Sequence, residues 1–424
     1  MSLKNPLRPQ VELLEDRSVP AVTSSFFNGN LVIRGDNFAN TLDLINQGDS
    51  IFKITNTRGG VTTSLGTFNL TGNVTLQMGN SNDTINIDLT AGGTLSGRIL
   101  TVRGGNGNDV LNIEGGTIGS IVNVDMGNGN DIVNIGGVIG TAIGARAFIF
   151  NGGLGNDGFL AGNGSQFAGT LVLTRFNNIQ FGDGENGVQA LDVVVTNQGE
   201  NTNNLAVFNP DALLAGNFTY VGGNLDDSVF LNGEIGGNAT LVGNAGSNSL
   251  DMQDGILGGN LNYVGGNFED NVIFNAGTQI LGSAVLNMFN GENTYTLVDA
   301  FLVGGNMTIR SGGGVDDLTF GGQVDGNLDV DLGNGNNTFE LIPSALIGGR
   351  LSYYGGAGVD TVTIDSTVAG DLRVYLGVGA DVFSYGANTQ VNSAYLDFGA
   401  DFDNDTFNQN GAVVAWNQTL LNVP

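Results

Sequence analysis

Six stretches of the chain fit Gly-x-Gly-x-Asp in full: Gly105–Asp109, Gly127–Asp131, Gly153–Asp157, Gly312–Asp316, Gly356–Asp360 and Gly377–Asp381. Gly79–Asp83 is a near match. A turn of this kind sets glycine-rich backbone, free to aim its carbonyls, beside a carboxylate. Hard oxygen donors in that arrangement suit calcium. The same residues also make a corner with no ion, because Asp and Asn tolerate left-handed backbone and hydrogen-bond their own turn. Two acidic runs are the candidate metal ligands: Asp83, Asp109, Asp131 and Asp157, then Asp360, Asp381, Asp403 and Asp405, with Asp401 close by. Stacked carboxylates repel unless something screens or bridges them, and the only lysines are Lys4 and Lys53. Other turns carry Asn201, Asn248, Asn293 and Asn337, whose amides can form a neutral ladder. Spacing alone leaves calcium site and plain corner both open.

The elements that position these turns form a repeat. The turn residue recurs about every 23 residues from Asp83 to Asp405, with Asn40 an earlier copy. In each unit a Gly opens a strand of alternating character, as in GNVTLQMG (72–79), GNLDVDLG (326–333), GRLSYYGG (349–356) and GDLRVYLG (370–377). Leu328, Val330 and Leu332 point one way and Asp329 and Asp331 the other, the period of a half-buried strand. The Gly-rich turn follows, then a second short strand such as DTINI (83–87), DIVNI (131–135) or DTVTI (360–364). Units of this length with two or three short strands describe a coil of a parallel β-solenoid. A propeller blade is about twice as long. The expectation is an all-β chain without substantial helix, a single long parallel β-helix of about 16–17 coils and on the order of 80 Å.

The expected division is a segment at residues 1–23, then a solenoid over residues 24–424 with terminal caps. Residues 24–70 and the tail FGADFDNDTFNQNGAVVAWNQTLLNVP, which holds Trp416, are the caps expected to shield the strand edges. Residues 175–200, with GDGENG, make one coil irregular.

GGNGNDVLN, Gly104 to Asn112, fits all nine positions of the Gly-Gly-x-Gly-x-Asp-x-U-x repeat, and here the chain resembles the calcium-binding RTX proteins. That resemblance implies calcium held between turns of neighbouring coils. The departures are one turn per coil instead of two in tandem, and Asn in place of several Asp. Residues 7–21, LRPQVELLEDRSVPA, belong to no repeat. Through Val11, Glu12, Leu14, Glu15, Asp16, Arg17, Pro20 and Ala21 they resemble a short N-terminal segment of large, repetitive exported proteins of planctomycete bacteria. That likeness implies a cell-surface or extracellular address, as a sorting tag or as an arm on the first coil.

Composition narrows the rest. The 424 residues include 71 Gly, no Cys and no His, and carry a formal net charge of -28. Such acidity repels nucleic acid and anionic lipid and attracts divalent cations or basic partners. Without His the commonest general base and transition-metal ligand is missing. No run of apolar residues is long enough for a transmembrane helix. Thr75, Thr219, Thr240 and Thr308 share an outward position, but Asn262, Val285, Asp329, Ser352 and Arg373 interrupt it and weaken any ice-binding face. The expected function is an extracellular or surface structural and adhesive rod, with calcium as its candidate cofactor. Its expected partners are glycan, matrix or other surface proteins. The alternative is a carbohydrate-active β-helix enzyme, a polysaccharide lyase or glycosidase, which needs a local cleft of acids and bases.

Overall fold

The computed structural model describes residues 22–96, 99–119, 121–140, 147–162, 164–184, 187–298, 300–400, 404–410 and 413–422. These are all-β, without helix, in about 14 stacked turns of about 23 residues. At about 4.8 Å per rung the stack is on the order of 70 Å long.

Each regular coil has three sides. The first side follows the opening Gly, as at Ala239–Val242, Leu261–Val264 and Ala284–Asn287, which pair in parallel from coil to coil. The second follows the turn, as at Ser249–Met252, Asn271–Phe274 and Thr294–Leu297. The third is only two residues wide in most coils, as at Ile256–Leu257 and Gln279–Ile280. Alternation fills the interior: Leu328, Val330 and Leu332 are fully buried, while Asp329 and Asp331 face outward. A single cluster of buried side chains runs the length of the stack. No coil could bury that surface alone, which makes stacking itself the source of stability.

The first side runs from Asn30–Arg34 to Val413–Leu421. The third side begins only at Thr94–Leu95, because the first unit spends its chain on a hairpin. There Ile51–Arg58 pairs antiparallel with Thr41–Asn46 and with Val61–Asn69, and Phe52 and Ile54 are fully buried. Thr23–Phe27 likewise pairs antiparallel with Asn30–Arg34. The expectation of 16–17 coils counted such partial units as whole ones. At the other end Thr406–Gln409 and Val413–Leu421 pair in parallel with the coil before them and prolong the ladders. The coil at residues 175–200 keeps its register despite its odd sequence: Asn178–Phe181 pairs with strands on both sides.

Candidate functional site

The turn residues form one buried column. Asn40, Asp83, Asp109, Asp131 and Asp157 occupy consecutive rungs, followed by Asn177, Asn204, Asp227, Asn248, Asp270, Asn293, Asp316, Asn337, Asp360 and Asp381. All of these are at most 3% exposed. Asp405 continues the column and is partly exposed. Asp403 and Asp401 lie outside the described residues. The sequence series named Asn201, but that residue is exposed and Asn204 holds the rung. Its neighbour Leu205 pairs with Asn178, which fixes the register.

Each column residue hydrogen-bonds the coil before it. The Asp83 amide donates to Asp109 Oδ1 at 2.8 Å, Asp109 to Asp131 at 2.7 Å, and Asp131 to Asp157 at 2.7 Å. The same bond links Asn337 to Asp360 at 3.0 Å, Asp360 to Asp381 at 2.8 Å and Asp381 to Asp405 at 2.9 Å. Asn accepts equally well, as where the Asp157 amide donates to Asn177 Oδ1 at 2.8 Å. A corner amide buried without an acceptor would be costly. The column supplies the acceptor.

The paired glycines make the corner possible. Gly105 and Gly107 adopt φ of 123° and 125°, where a side chain is strained. A Cβ on Gly105 would also overlap the Gly79 carbonyl oxygen of the coil below.

The second carboxylate oxygen is the unusual part. Oδ2 of Asp83, Asp109, Asp131, Asp157 and Asp360 is buried with no hydrogen-bond partner. A methyl group on Gly104 would touch both Asp109 Oδ2 and the Met126 carbonyl oxygen, so these two acceptors converge on one place. Asp157 Oδ2 converges with the Arg175 carbonyl, and Asp360 Oδ2 with the Leu376 carbonyl, in the same way. Where the column carries Asn, the side-chain amide turns back to its own corner: Asn248 Nδ2 donates to the Gly246 carbonyl at 3.0 Å and Asn337 Nδ2 to the Gly333 carbonyl at 3.1 Å. Asp227 and Asp270 instead accept backbone amides on Oδ2, from Gly223 at 2.9 Å and Gly266 at 2.6 Å.

Burial therefore raises these carboxyls. Loss of solvent pushes Asp83 and Asp131 up to about 6, and Asp109, Asp157 and Asp360 up to about 7. Acidic neighbours push the same way; for Asp109 these are Asp131 and Asp83. Asp316 is also raised, again mainly by burial. Among the described residues no three carboxylates converge on one point.

A second ladder is harder to see in the sequence. At the corner between third and first sides, Asn238, Asn260, Ser283, Asn306, Asn327 and Arg350 each donate a backbone amide to the side chain one coil back, at 2.8–3.2 Å. Its signal is the recurring Gly-Gly-Asn and Asp-Gly-Asn triplets.

An acid-lined cleft lies on the second side near the hairpin, bounded by Asp43, Asp88, Glu114, Asn86 and Asn112. Asp88 and Glu114 sit in register on adjacent coils. Asp88 Oδ1 accepts the Thr90 amide at 2.9 Å and its hydroxyl at 2.6 Å.

Fold and column together define a parallel β-solenoid repeat protein. No protein-family model matches the chain, and no curated protein sequence does.

Proposed function

We propose that the chain is an extracellular or cell-surface structural rod whose outer faces make adhesive contacts with glycan, matrix or other surface proteins. The observation that carries this reading is the continuity of the ladders. Hydrogen bonds to Asp or Asn side-chain oxygens repeat from Asn40 to Asp405, so coil is tied to coil along the length. A net charge of -28 keeps such rods apart and soluble. The resemblance of residues 7–21 to a segment of exported proteins supports the address.

The RTX resemblance would add calcium to this rod, and the column argues for a different stabiliser. Calcium takes about six to eight oxygens. The rungs at Asp109, Asp157 and Asp360 each offer one uncommitted carboxylate oxygen facing one carbonyl, because Oδ1 already holds an amide. A proton shared between those two oxygens satisfies both, and in our reading it takes the place of the ion.

The test of address is labelling with antibodies raised to the solenoid, on intact cells that make the protein. Labelling before lysis, removed by external protease, is the expected result. Labelling only after lysis would contradict it.

One observation favours a second reading. Asp88 and Glu114 sit in register on adjacent coils and line one cleft, a pairing of acids of the kind glycosidases use. As an enzyme the chain would release reducing ends from a polysaccharide, and Glu114→Gln would abolish that release.

A further inference from the structure

Beyond residue 175 the chain has three basic residues, Arg310, Arg350 and Arg373. Arg310 and Arg373 lie on the outer first side and Arg350 at the corner that opens it, within four consecutive coils. Arg310 pairs with Asp331, Asp331 with Tyr354, and Tyr354 with Tyr375, one above the next. The Tyr354 and Tyr375 rings stack at 5.0 Å between centroids and 4° between planes, and Tyr395, in register with Arg373, contacts Tyr375 diagonally at 5.4 Å, tilted by 44°. Tyr354 is 45% exposed. Its Tyr375 side is covered, and on its other side the next rungs of the column carry Asp331 and then Arg310. The column therefore steps from the aromatic Tyr354 to the shorter Asp331 and then to the long Arg310, a notch in side-chain length one rung wide.

The charges around this notch cancel locally. Arg350 pairs with Asp329 at 3.1 Å and also donates to Ser352 Oγ at 2.8 Å, while Arg373 pairs with Asp371 at 3.4 Å. A patch balanced in this way does not gather simple ions. It offers neighbouring donors and acceptors beside an exposed aromatic face. Vicinal hydroxyls match the donor–acceptor pairs, since a planar guanidinium and a carboxylate each bind two polar atoms at once. The apolar C–H face of a pyranose ring matches the π face of Tyr354. No outward residue between Thr308 and Asp397 on this side is aliphatic. The outward contacts on these strands are therefore aromatic and polar, the combination that a sugar ring with its hydroxyls needs.

We propose that the notch between Arg310 and Tyr354, floored by Asp331, is a binding site for a neutral glycan. This gives the adhesive reading its ligand class and rests on that reading. The rungs above and below extend the site along the rod axis, so a chain of sugars running across the coils meets Arg–Asp pairs and tyrosines in succession.

The test is affinity electrophoresis of the full chain in native gels containing neutral polysaccharides (β-glucan, xylan, mannan, dextran), with alginate as the charged control. At least one neutral polysaccharide should retard the protein, and Tyr354→Ala should weaken that retardation by about tenfold or more. Arg310→Gln, which removes no packing from the core, should weaken it as well. Gln279→Ala, on the third side, should leave it unchanged, and circular dichroism should show every variant folded. The proposal is overturned if no neutral polysaccharide retards the protein, if alginate alone does, or if folded Tyr354→Ala and Arg310→Gln both bind as the parent does. None of those results bears on where the rod resides, which the labelling experiment decides separately.

Discussion

Asp109→Asn raises the melting temperature at pH 8 and leaves it unchanged at pH 4, whereas Asp109→Ala lowers it at pH 4 and by much less at pH 8, where it also removes the buried charge. Asn keeps the acceptor for the Asp83 amide, and its Nδ2 meets the Met126 carbonyl that Asp109 Oδ2 now faces. The natural rungs at Asn248 and Asn337 show that the column accepts a side-chain amide, there turned back onto the Gly246 and Gly333 carbonyls of its own turn. Ala removes the acceptor and leaves a buried amide unpaired, at a cost of about 1–3 kcal/mol at any pH. The pH dependence follows from the raised carboxyl. Asp109 sits at about 7 when folded against an ordinary value of 3.8, so between those values the folded chain binds more protons than the unfolded one. Its contribution is complete below about pH 4 and is lost as pH climbs through about 7. Each tenfold gain in proton affinity is worth about 1.4 kcal/mol, so a rise from 3.8 to about 7 bounds the effect at about 4 kcal/mol. Asp83 and Asp131 share the same proton balance, so about half of that is expected from one substitution. Thermal melts of both variants at the two pH values check this. An Asn variant less stable than the parent at pH 8 would refute the protonated column.

Gly105→Ala separates the rod into parts that unfold at different denaturant concentrations. The backbone there has φ of 123°, and the new Cβ would overlap the Gly79 carbonyl oxygen, so the strain falls on two stacked coils together. A loss of about 4 kcal/mol or more is expected from backbone strain plus overlap with rigid main chain. In a solenoid, stability is roughly a sum over neighbouring coils, so the damage stays near the substitution. The readout is urea unfolding followed by limited proteolysis: the coils before about residue 130 are digested first, and a resistant fragment carrying the C-terminal coils survives. A single transition with the parent's midpoint would contradict the tight stacking of these turns.

Much of this is legible in the chain itself. The outward column Thr219, Thr240, Asn262, Val285, Thr308 follows from periodicity alone, and it pairs rung by rung. So does the inward set Leu328, Val330, Leu332. Both rest on strict alternation repeated in every coil, which averages out local exceptions. Asn201 is the wrong residue for its rung because NQGENTNN offers several equivalent Asn, and only the pairing of Leu205 with Asn178 selects Asn204. The inward direction of the acidic column is also written in the sequence, though less plainly. Asp109, Leu111 and Ile113 alternate on one side, so the carboxylate shares the core-facing parity of the strand it precedes. Treating it as a turn residue detaches it from that alternation. The hairpin at residues 51–69 is out of reach, because nothing local distinguishes two antiparallel strands from one more coil.

The most direct test of the central claim is a thermal melt of the metal-stripped parent chain at pH 5 and pH 8, each with and without millimolar calcium, with magnesium as the control. A column held by shared protons predicts a higher melting temperature at pH 5 than at pH 8, with calcium and magnesium equal and small in effect. A large stabilisation specific to calcium at pH 8, or a melting temperature that rises with pH, would show that the buried Asp column holds an ion instead.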